Sequence, residues 1–415
     1  MNKLILTTLR GRRVAALASD KRILQFEFEG EEAAEQIGTI YIGKVRNVVK
    51  NLNAAFLEYK PGVNGYYSLN DNHVHTFADG TRSDRTLKSG DEIVVQISRA
   101  AVKTKDAVLS GELTLTGRYV AVMVREHNNC GLGISAKIKD KVWRENWKKQ
   151  WNQAVSERCD TSHNTESDSY WIGFHYIIRT NAYDASFTDV FEEAMALEAR
   201  ICKMLKEANY RTAFTVLHTP DSFALSKVRD FRLNPGAEVI TDDQDIFNEL
   251  EHSSFFLENK SNFEQGVKLR FYNDSYPLVS LYSLETMLER ALGKSVWLKS
   301  GGYLVIEPTE AMTVIDVNTG KNIDKKTPEE TYFKTNLEAA AEIALQLRLR
   351  NLSGIIIVDF IDMKETEHNT ELLNVFRHHL NQDPVKTTLV DMTALGLVEV
   401  TRKKLKRPIH EQLNA

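Results

Sequence analysis

Two aspartates interrupt segments that otherwise read as apolar strands. Asp316 breaks the run Val314-Ile315-Asp316-Val317, and Asp359 closes the run Ile355-Ile356-Ile357-Val358. A carboxylate at the end of a buried strand is costly unless it is paired, hydrogen-bonded or bound to a cation. In open α/β sheets, ligands gather at the carboxyl ends of strands. Two carboxylates meeting there can share one hard divalent cation. Mg²⁺ takes oxygen ligands and keeps several of its waters, and it can acidify a bound water and stabilise charge on phosphorus. Asn318 lies two residues after Asp316, so in a strand the two share a face. Its amide can hold a ligand or a scissile phosphate. The plainer reading makes each aspartate a cap for a following turn or helix, and Asp362 in Phe360-Ile361-Asp362-Met363 is read that way, as the start of a helix.

A second group of residues suits single-stranded nucleic acid. Lys44, Arg46, Lys50 and Lys60, opposed by Glu58, interleave with Phe56, Tyr59, Tyr66 and Tyr67. Bases stack on aromatic faces while lysine and arginine meet the phosphates. The competing reading places the same aromatics in a barrel core. A third group, Arg179-Thr180, follows the apolar Tyr176-Ile177-Ile178. A guanidinium fork and a neighbouring hydroxyl suit a terminal phosphate, although an Arg-Thr pair at a strand end is more often an ordinary surface pair.

The elements that must carry these groups follow from periodicity. Residues 4–6, 14–17 and 23–26 read as three strands of a meander at the edge of a sheet. Strands over 39–45, 54–59, 65–69 and 91–97, punctuated by glycine turns, suggest a small barrel. Strands at 119–124 and 176–180 precede a helix over 187–207, with Phe187, Phe191, Met195, Ile201 and Leu205 at helical spacing. Segment 236–264 carries eight carboxylates against Lys260 and reads as a solvated face. From residue 281 strand and helix alternate, as in an α/β layer. Strands at 304–306 and 313–318 lead to Thr327-Pro328-Glu329-Glu330, a capping-box helix start. That helix runs to about Arg350 with Phe333, Leu337, Ala340, Ala344 and Leu347 on one face. Segment 354–359 is continuously apolar, of the kind buried on both faces.

The chain has 415 residues, enough for two to three domains at about 150 residues each. Hydrophobic residues are 42% and charged residues 27%, a globular composition. Lys+Arg 53 against Asp+Glu 57 gives a net charge of -4, which excludes a globally basic nucleic-acid binder but not local basic surfaces. Arg402, Lys403, Lys404, Lys406 and Arg407 crowd the end of the sequence. The three cysteines, Cys130, Cys159 and Cys202, form no CxxC pair, so neither a cysteine zinc site nor a disulfide framework is read, and a reducing compartment fits. The N-terminal apolar run is too short for a signal peptide and no stretch approaches a membrane span. A cytoplasmic location is expected.

Four blocks then carry a specific resemblance. They are Ile315-Asp316-Val317-Asn318, Thr335-Asn336-Leu337-Glu338-Ala339-Ala340, Gln346-Leu347-Arg348-Leu349-Arg350-Asn351-Leu352 and Val358-Asp359-Phe360-Ile361-Asp362-Met363. In this order and spacing they resemble the catalytic region of the ribonuclease E/G family. Upstream, Ile42-Gly43-Lys44-Val45, Ala54-Ala55-Phe56 and Gly65-Tyr66 resemble that family's OB-type barrel, and Ile178-Arg179-Thr180 resembles the core of its sensor for the RNA 5′ end. The resemblance implies an α+β multidomain fold. A ribonuclease H-like subdomain (1–37 and 216–280) carries an inserted OB-fold β-barrel (38–116) and a sensor domain (117–215). A DNase I-like α/β catalytic subdomain (281–415) follows.

By the same resemblance, Asp316 and Asp359 hold a catalytic Mg²⁺, with Mn²⁺ as an alternative, and Asn318 orients the scissile phosphate. Arg179, Thr180 and Gly117 bind a 5′-monophosphate, with Ala121 in place of a common valine loosening the pocket edge. Phe56, Tyr66 and Lys105 contact RNA on the barrel. The implied activity is Mg²⁺-dependent endonucleolytic cleavage of single-stranded RNA, leaving 5′-phosphate and 3′-hydroxyl ends. A preference for AU-rich strands and stimulation by a 5′-monophosphate go with it. The competing classes are a non-catalytic RNA-binding or ribosome-associated factor and, within enzymes, a DNA-directed phosphodiesterase. Well-studied members also carry a zinc-binding CPxC pair after the catalytic region, through which two chains share one zinc, and a small domain beyond it. No cysteine follows Cys202 here, so no zinc is expected, and a homodimer is left open.

Overall fold

The computed structural model describes residues 2–19, 22–30, 37–101, 106–125, 131–161, 173–231, 233, 236–253, 255–256, 266–320 and 328–413. It divides into two compact units, Met1–Gly30 with Phe223–Ala415, and Glu31–Ser222.

The first unit contains two sheets. One has five strands in the order Lys268–Phe271, Glu238–Thr241, Asn2–Leu9, Arg12–Ser19, Arg22–Phe28. The last three form the expected meander, with Leu4 opposite Leu17 and Ala16 opposite Phe26. They occupy one edge of the sheet, as expected, with Arg22–Phe28 outermost. Asn2–Leu9 is an interior strand, because Glu238–Thr241 pairs with it in parallel. Its alternate side chains enter two separate cores. Ile5 packs with Ile240, Leu284 and Leu288, and Leu4 and Leu6 pack with Val239, Val228 and Leu250. Burial on both faces is why Leu4-Ile5-Leu6 is apolar without alternation. In the acidic segment none of the described carboxylates is buried, and Asp243 caps the helix Gln244–Glu251 by accepting from the Asp245 and Ile246 amides.

The second sheet has six strands in the order Ser295–Trp297, Tyr303–Pro308, Met312–Asn318, Gly354–Asp359, Val398–Arg402, Thr387–Met392. Met312–Asn318 and Gly354–Asp359 run parallel, which requires a crossover; the helix Pro328–Leu349 supplies it. Ala339, Ala340, Ile343 and Leu347 of that helix, with Leu372 and Phe376 of Thr366–Leu380, cover Ile315, Val317, Ile356 and Val358. They cover one face. Ile356 is fully buried while Ile355 is 48% exposed, so Gly354–Asp359 is not buried on both faces as its apolar run suggested. Thr327, the expected helix cap, lies outside the described residues. The terminal basic run also reads differently. Arg402 is buried, its Nε donating to Asp383 Oδ2 at 2.7 Å and its Nη1 to Asn351 and the Leu352 carbonyl, and Lys406 pairs with Glu27.

The second unit holds a closed five-strand barrel consistent with an OB-fold. Ile40–Val49, Ala54–Lys60, Val63–Ser68, Ala107–Ser110 and Glu92–Arg99 pair in turn, and Glu92–Arg99 returns to Ile40–Val49. Beside it in the chain, Thr114–Thr116, Val120–Arg125, Gly173–Ile178 and Gly131–Ile134 make a four-stranded sheet. Helices Lys141–Thr161 and Phe187–Ala208 pack on that sheet through Trp147, Trp151, Val190 and Ile201. Among the described residues no helix is long and apolar enough to cross a membrane.

Candidate active site and nucleic-acid interface

Asp316 and Asp359 are register partners in the parallel strand pair. Neighbouring strands lie about 4.8 Å apart, so the two carboxylates stand side by side on the open face. Both residues are exposed. The sequence reading had them terminating buried strands, but alternation turns Ile315, Val317 and Val358 to the core and the aspartates to the other side. Asn318, on the same face, donates from Nδ2 to Asp316 Oδ2 at 2.8 Å. Partial burial, together with the charges of Asp316 and Asp362, holds the Asp359 carboxyl above its usual range. Asp362 is not the helix cap the sequence suggested. It sits in the loop before Thr366–Leu380, where Glu365 is the N-cap residue, and its charge is felt at Asp359.

The crossover helix positions that loop. Asn336 is fully buried; its Nδ2 donates to the Ile361 carbonyl at 2.8 Å and its Oδ1 accepts the Ile361 amide at 3.1 Å. This pair of hydrogen bonds clamps the backbone two residues after Asp359. Seven residues earlier on the helix, Glu329 accepts the amides of Lys364 and Glu365 at 3.0 and 3.2 Å. Burial alone would raise the Glu329 carboxyl, but those amides and His368 outweigh it and hold the group low. His368 stacks on Phe333 with centroids 4.1 Å apart. Ligand atoms of Glu329, Glu365 and His368 lie within 4.8 Å of one another; Glu329 is already committed to the loop. On the other flank, a Cβ at Gly302 would lie 2.7 Å from the Asn318 carbonyl, so only glycine lets the 298–302 turn pack against the end of this strand. Glu338 fixes that turn by accepting the Lys299 and Ser300 amides at 2.6 and 3.1 Å.

In the second unit, Gly117 and Arg179 come together. The Arg179 guanidinium donates to the Gly117 carbonyl, and its amide donates to the Tyr119 carbonyl at 2.7 Å. Thr180 Oγ1 lies 3.1 Å from Ser135 Oγ. Glu193 accepts three successive amides, those of Arg118, Tyr119 and Val120, at 2.7 to 3.0 Å. A Cβ at Gly117 would lie 2.5 Å from the Glu193 carboxyl carbon, so the glycine leaves room for this carboxylate.

The barrel separates its four aromatics. Tyr59 and Tyr67 are fully buried core. Phe56 and Tyr66 are register partners, half-buried, with ring centroids 6.0 Å apart. A cleft of about 470 Å³ lies against Phe56, lined also by Arg46, Asn47 and Asn64. The basic residues are less free than their count suggests. Arg46 pairs with Glu58, Lys44 lies 3.6 Å from Glu92, and Lys60 sits over the Tyr41 and Tyr59 rings. Lys105 lies outside the described residues.

Residues 114–405 match the profile of the ribonuclease E/G family. The chain belongs to the ribonuclease E/G family. Ribonuclease G of Escherichia coli (strain K12) is 32% identical over 406 residues, covering 95% of this chain and 78% of that protein. Ribonuclease G of Haemophilus influenzae is 32% identical over 409 residues, covering 96% and 78%. Ribonuclease E of Nostoc sp. (strain PCC 7120) is 32% identical over 403 residues, covering 96% of this chain and 55% of that longer protein.

Within this ribonuclease E/G chain, the residues missed by sequence reasoning are those that hold backbone. Asn336, Glu329, Glu338 and Glu193 bind main-chain groups far away in sequence, and no local pattern marks such a contact. The Ser300-Gly301-Gly302 and Asn318-Thr319-Gly320 triplets did carry a signal, since paired glycine turns mark close backbone approach.

Proposed function

We propose that this protein is a Mg²⁺-dependent endoribonuclease that cleaves single-stranded RNA. The observation that carries the reading is the pairing of Asp316 with Asp359 on adjacent parallel strands, with Asn318 beside them. An all-oxygen donor set of two neighbouring carboxylates suits a hard divalent cation. The Asp359 carboxyl is raised by its partial burial first and then by the like charges of Asp316 and Asp362, and a bound cation would relieve that repulsion. Bound there, the cation supplies an acidified water and charge neutralisation at phosphorus. The chain's own groups do the holding. Asp316 and Asp359 are the ligands. One N–H of the Asn318 amide goes to Asp316, which leaves the second for a phosphate oxygen. Asn336 and Glu329 keep the strand end and its loop in place. In-line attack at phosphorus breaks the bond to the 3′ oxygen, leaving a 3′-hydroxyl and a 5′-phosphate.

The same reading assigns Arg179, Thr180 and Gly117 to a 5′-monophosphate, and Phe56, Tyr66 and Lys105 to RNA on the barrel. The ribonuclease H-like and DNase I-like subdomains belong to this proposal. The test is cleavage of a short 5′-phosphorylated RNA with Mg²⁺, with EDTA as control. The 5′-hydroxyl RNA and a DNA of the same sequence run in parallel. Metal-dependent RNA products with the phosphorylated form preferred are expected. Binding without cleavage would leave an RNA-binding factor instead, and equal DNA cleavage a general phosphodiesterase.

A further inference from the structure

The open face of the six-stranded sheet continues past the aspartates. Tyr303 is the register partner of Asn318, and Trp297 is the register partner of Tyr303. The three residues therefore form one row across three strands. Register partners share a face, and the intervening Leu304 is fully buried on the other side, so Trp297 and Tyr303 stand on the face of Asp316 and Asn318. The Trp297 and Tyr303 rings lie 5.2 Å apart at 48°. Trp297 is 72% exposed while the next residue, Leu298, is 7% exposed. The indole is thus held in solvent by strand alternation beside an anchored leucine. At about 4.8 Å per strand, Tyr303 adjoins Asn318 and Trp297 lies roughly 10 Å from it. That is the reach of the nucleotides flanking a phosphate held at Asn318. The exposed Lys299 follows in the turn pinned by Glu338.

We propose that Trp297 and Tyr303 form a base-stacking platform that seats a nucleobase of the RNA strand beside the scissile phosphate. The proposal rests on the nuclease reading of Asp316, Asn318 and Asp359. It adds a binding subsite on the catalytic sheet itself. Stacking uses the π-face that every base has, so the platform sets affinity and register of the strand rather than its sequence.

The test uses the full chain, an RNA with one fixed cleavage site, and a second RNA that is abasic at the nucleotides flanking that site. Binding is measured in EDTA by fluorescence anisotropy, and KM is measured with Mg²⁺. Trp297→Ala is expected to weaken binding and raise KM about tenfold, the scale of one base–aromatic stack, while Trp297→Phe keeps most of both. The abasic RNA should bind wild type about tenfold more weakly than intact RNA, whereas Trp297→Ala should not distinguish the two. Should Trp297→Ala fold poorly by thermal melting, Trp297→Leu replaces it, keeping apolar bulk without a ring face. Equal discrimination against abasic RNA by wild type and by the ringless variant overturns the platform. Asp316→Asn separates the two ideas. If it binds RNA in EDTA but does not cleave, the nuclease reading stands whatever Trp297 does. If it cleaves normally, that reading falls, and the platform beside a scissile phosphate falls with it.

Discussion

Asp359→Asn should make the metal-free protein more stable and the enzyme inactive. The two carboxylates stand on adjacent strands in register, so their charges are separated by about 5 Å. Between effective dielectrics of 20 and 80, two unit charges at that distance repel by about 1 to 3 kcal/mol. Both groups are exposed, so screening places the effect near the lower end, about 1 kcal/mol. Removing one charge returns that amount, which shifts Tm upward by roughly 2–4 °C for a unit of this size. The sign reverses once Mg²⁺ is added. Wild type at ten times its Kd gains about 1.4 kcal/mol from binding, and the variant, lacking a ligand, gains little. Cleavage should fall at least about a hundredfold, because a metal ligand supplies several kcal/mol to the transition state. The assay is thermal melting in EDTA and across a Mg²⁺ titration, paired with cleavage of one 5′-phosphorylated RNA. An unchanged Tm in EDTA together with a full Mg²⁺ response would refute the argument that these two carboxylates face each other over one cation.

Three further outcomes are expected. Asn336→Ala should release the Ile361 backbone and raise the Mg²⁺ concentration for half-maximal cleavage, with terbium luminescence as a readout independent of activity; an unchanged metal affinity would remove its positioning role. Gly117→Ala should push into the Glu193 carboxylate and reduce the preference for 5′-monophosphate over 5′-hydroxyl RNA, while cleavage of the 5′-hydroxyl form persists; an unaltered ratio would argue against the sensor assignment. Glu27 is half-buried between Lys227, at 2.6 Å, and Lys406. Burial would raise its carboxyl, but the two ammonium groups outweigh burial and hold it low. Its stabilisation is then full above the unfolded carboxylate pKa of about 4.3 and is lost as pH falls through the lower folded value. Glu27→Gln should cost about 3–5 kcal/mol at neutral pH by stranding buried Lys227 and should flatten the acid limb of the stability profile. A variant melting like wild type at pH 7 would contradict this.

Much of the fold could be read from periodicity. The meander, the barrel strands, the helix over 187–207 and the strands carrying Asp316 and Asp359 all follow from which residues are apolar and how they are spaced. Spacing could not say what lies against each face. The run 354–359 has the same apolar signature whether helices cover one side or two, and it is the packing of Pro328–Leu349 and Thr366–Leu380 that leaves Ile355 outside. Arg402 stands in a basic run and is nonetheless buried on Asp383, because its alternation parity in the strand turns it inward.

The sequence by itself determined the chemistry: which oxygen donors exist, that Asp316 and Asn318 share a face, and to which family the four blocks point. Only tertiary structure decided their company. Register between two strands separated by a 22-residue helix set Asp359 opposite Asp316. Side-chain clamps from Asn336, Glu329 and Glu338 fixed the surrounding backbone, and two antiparallel pairings brought Trp297 and Tyr303 onto the same row as Asn318. Strand register and long-range capping depend on contacts between residues distant in the chain, so no local pattern of residue types can encode them alone.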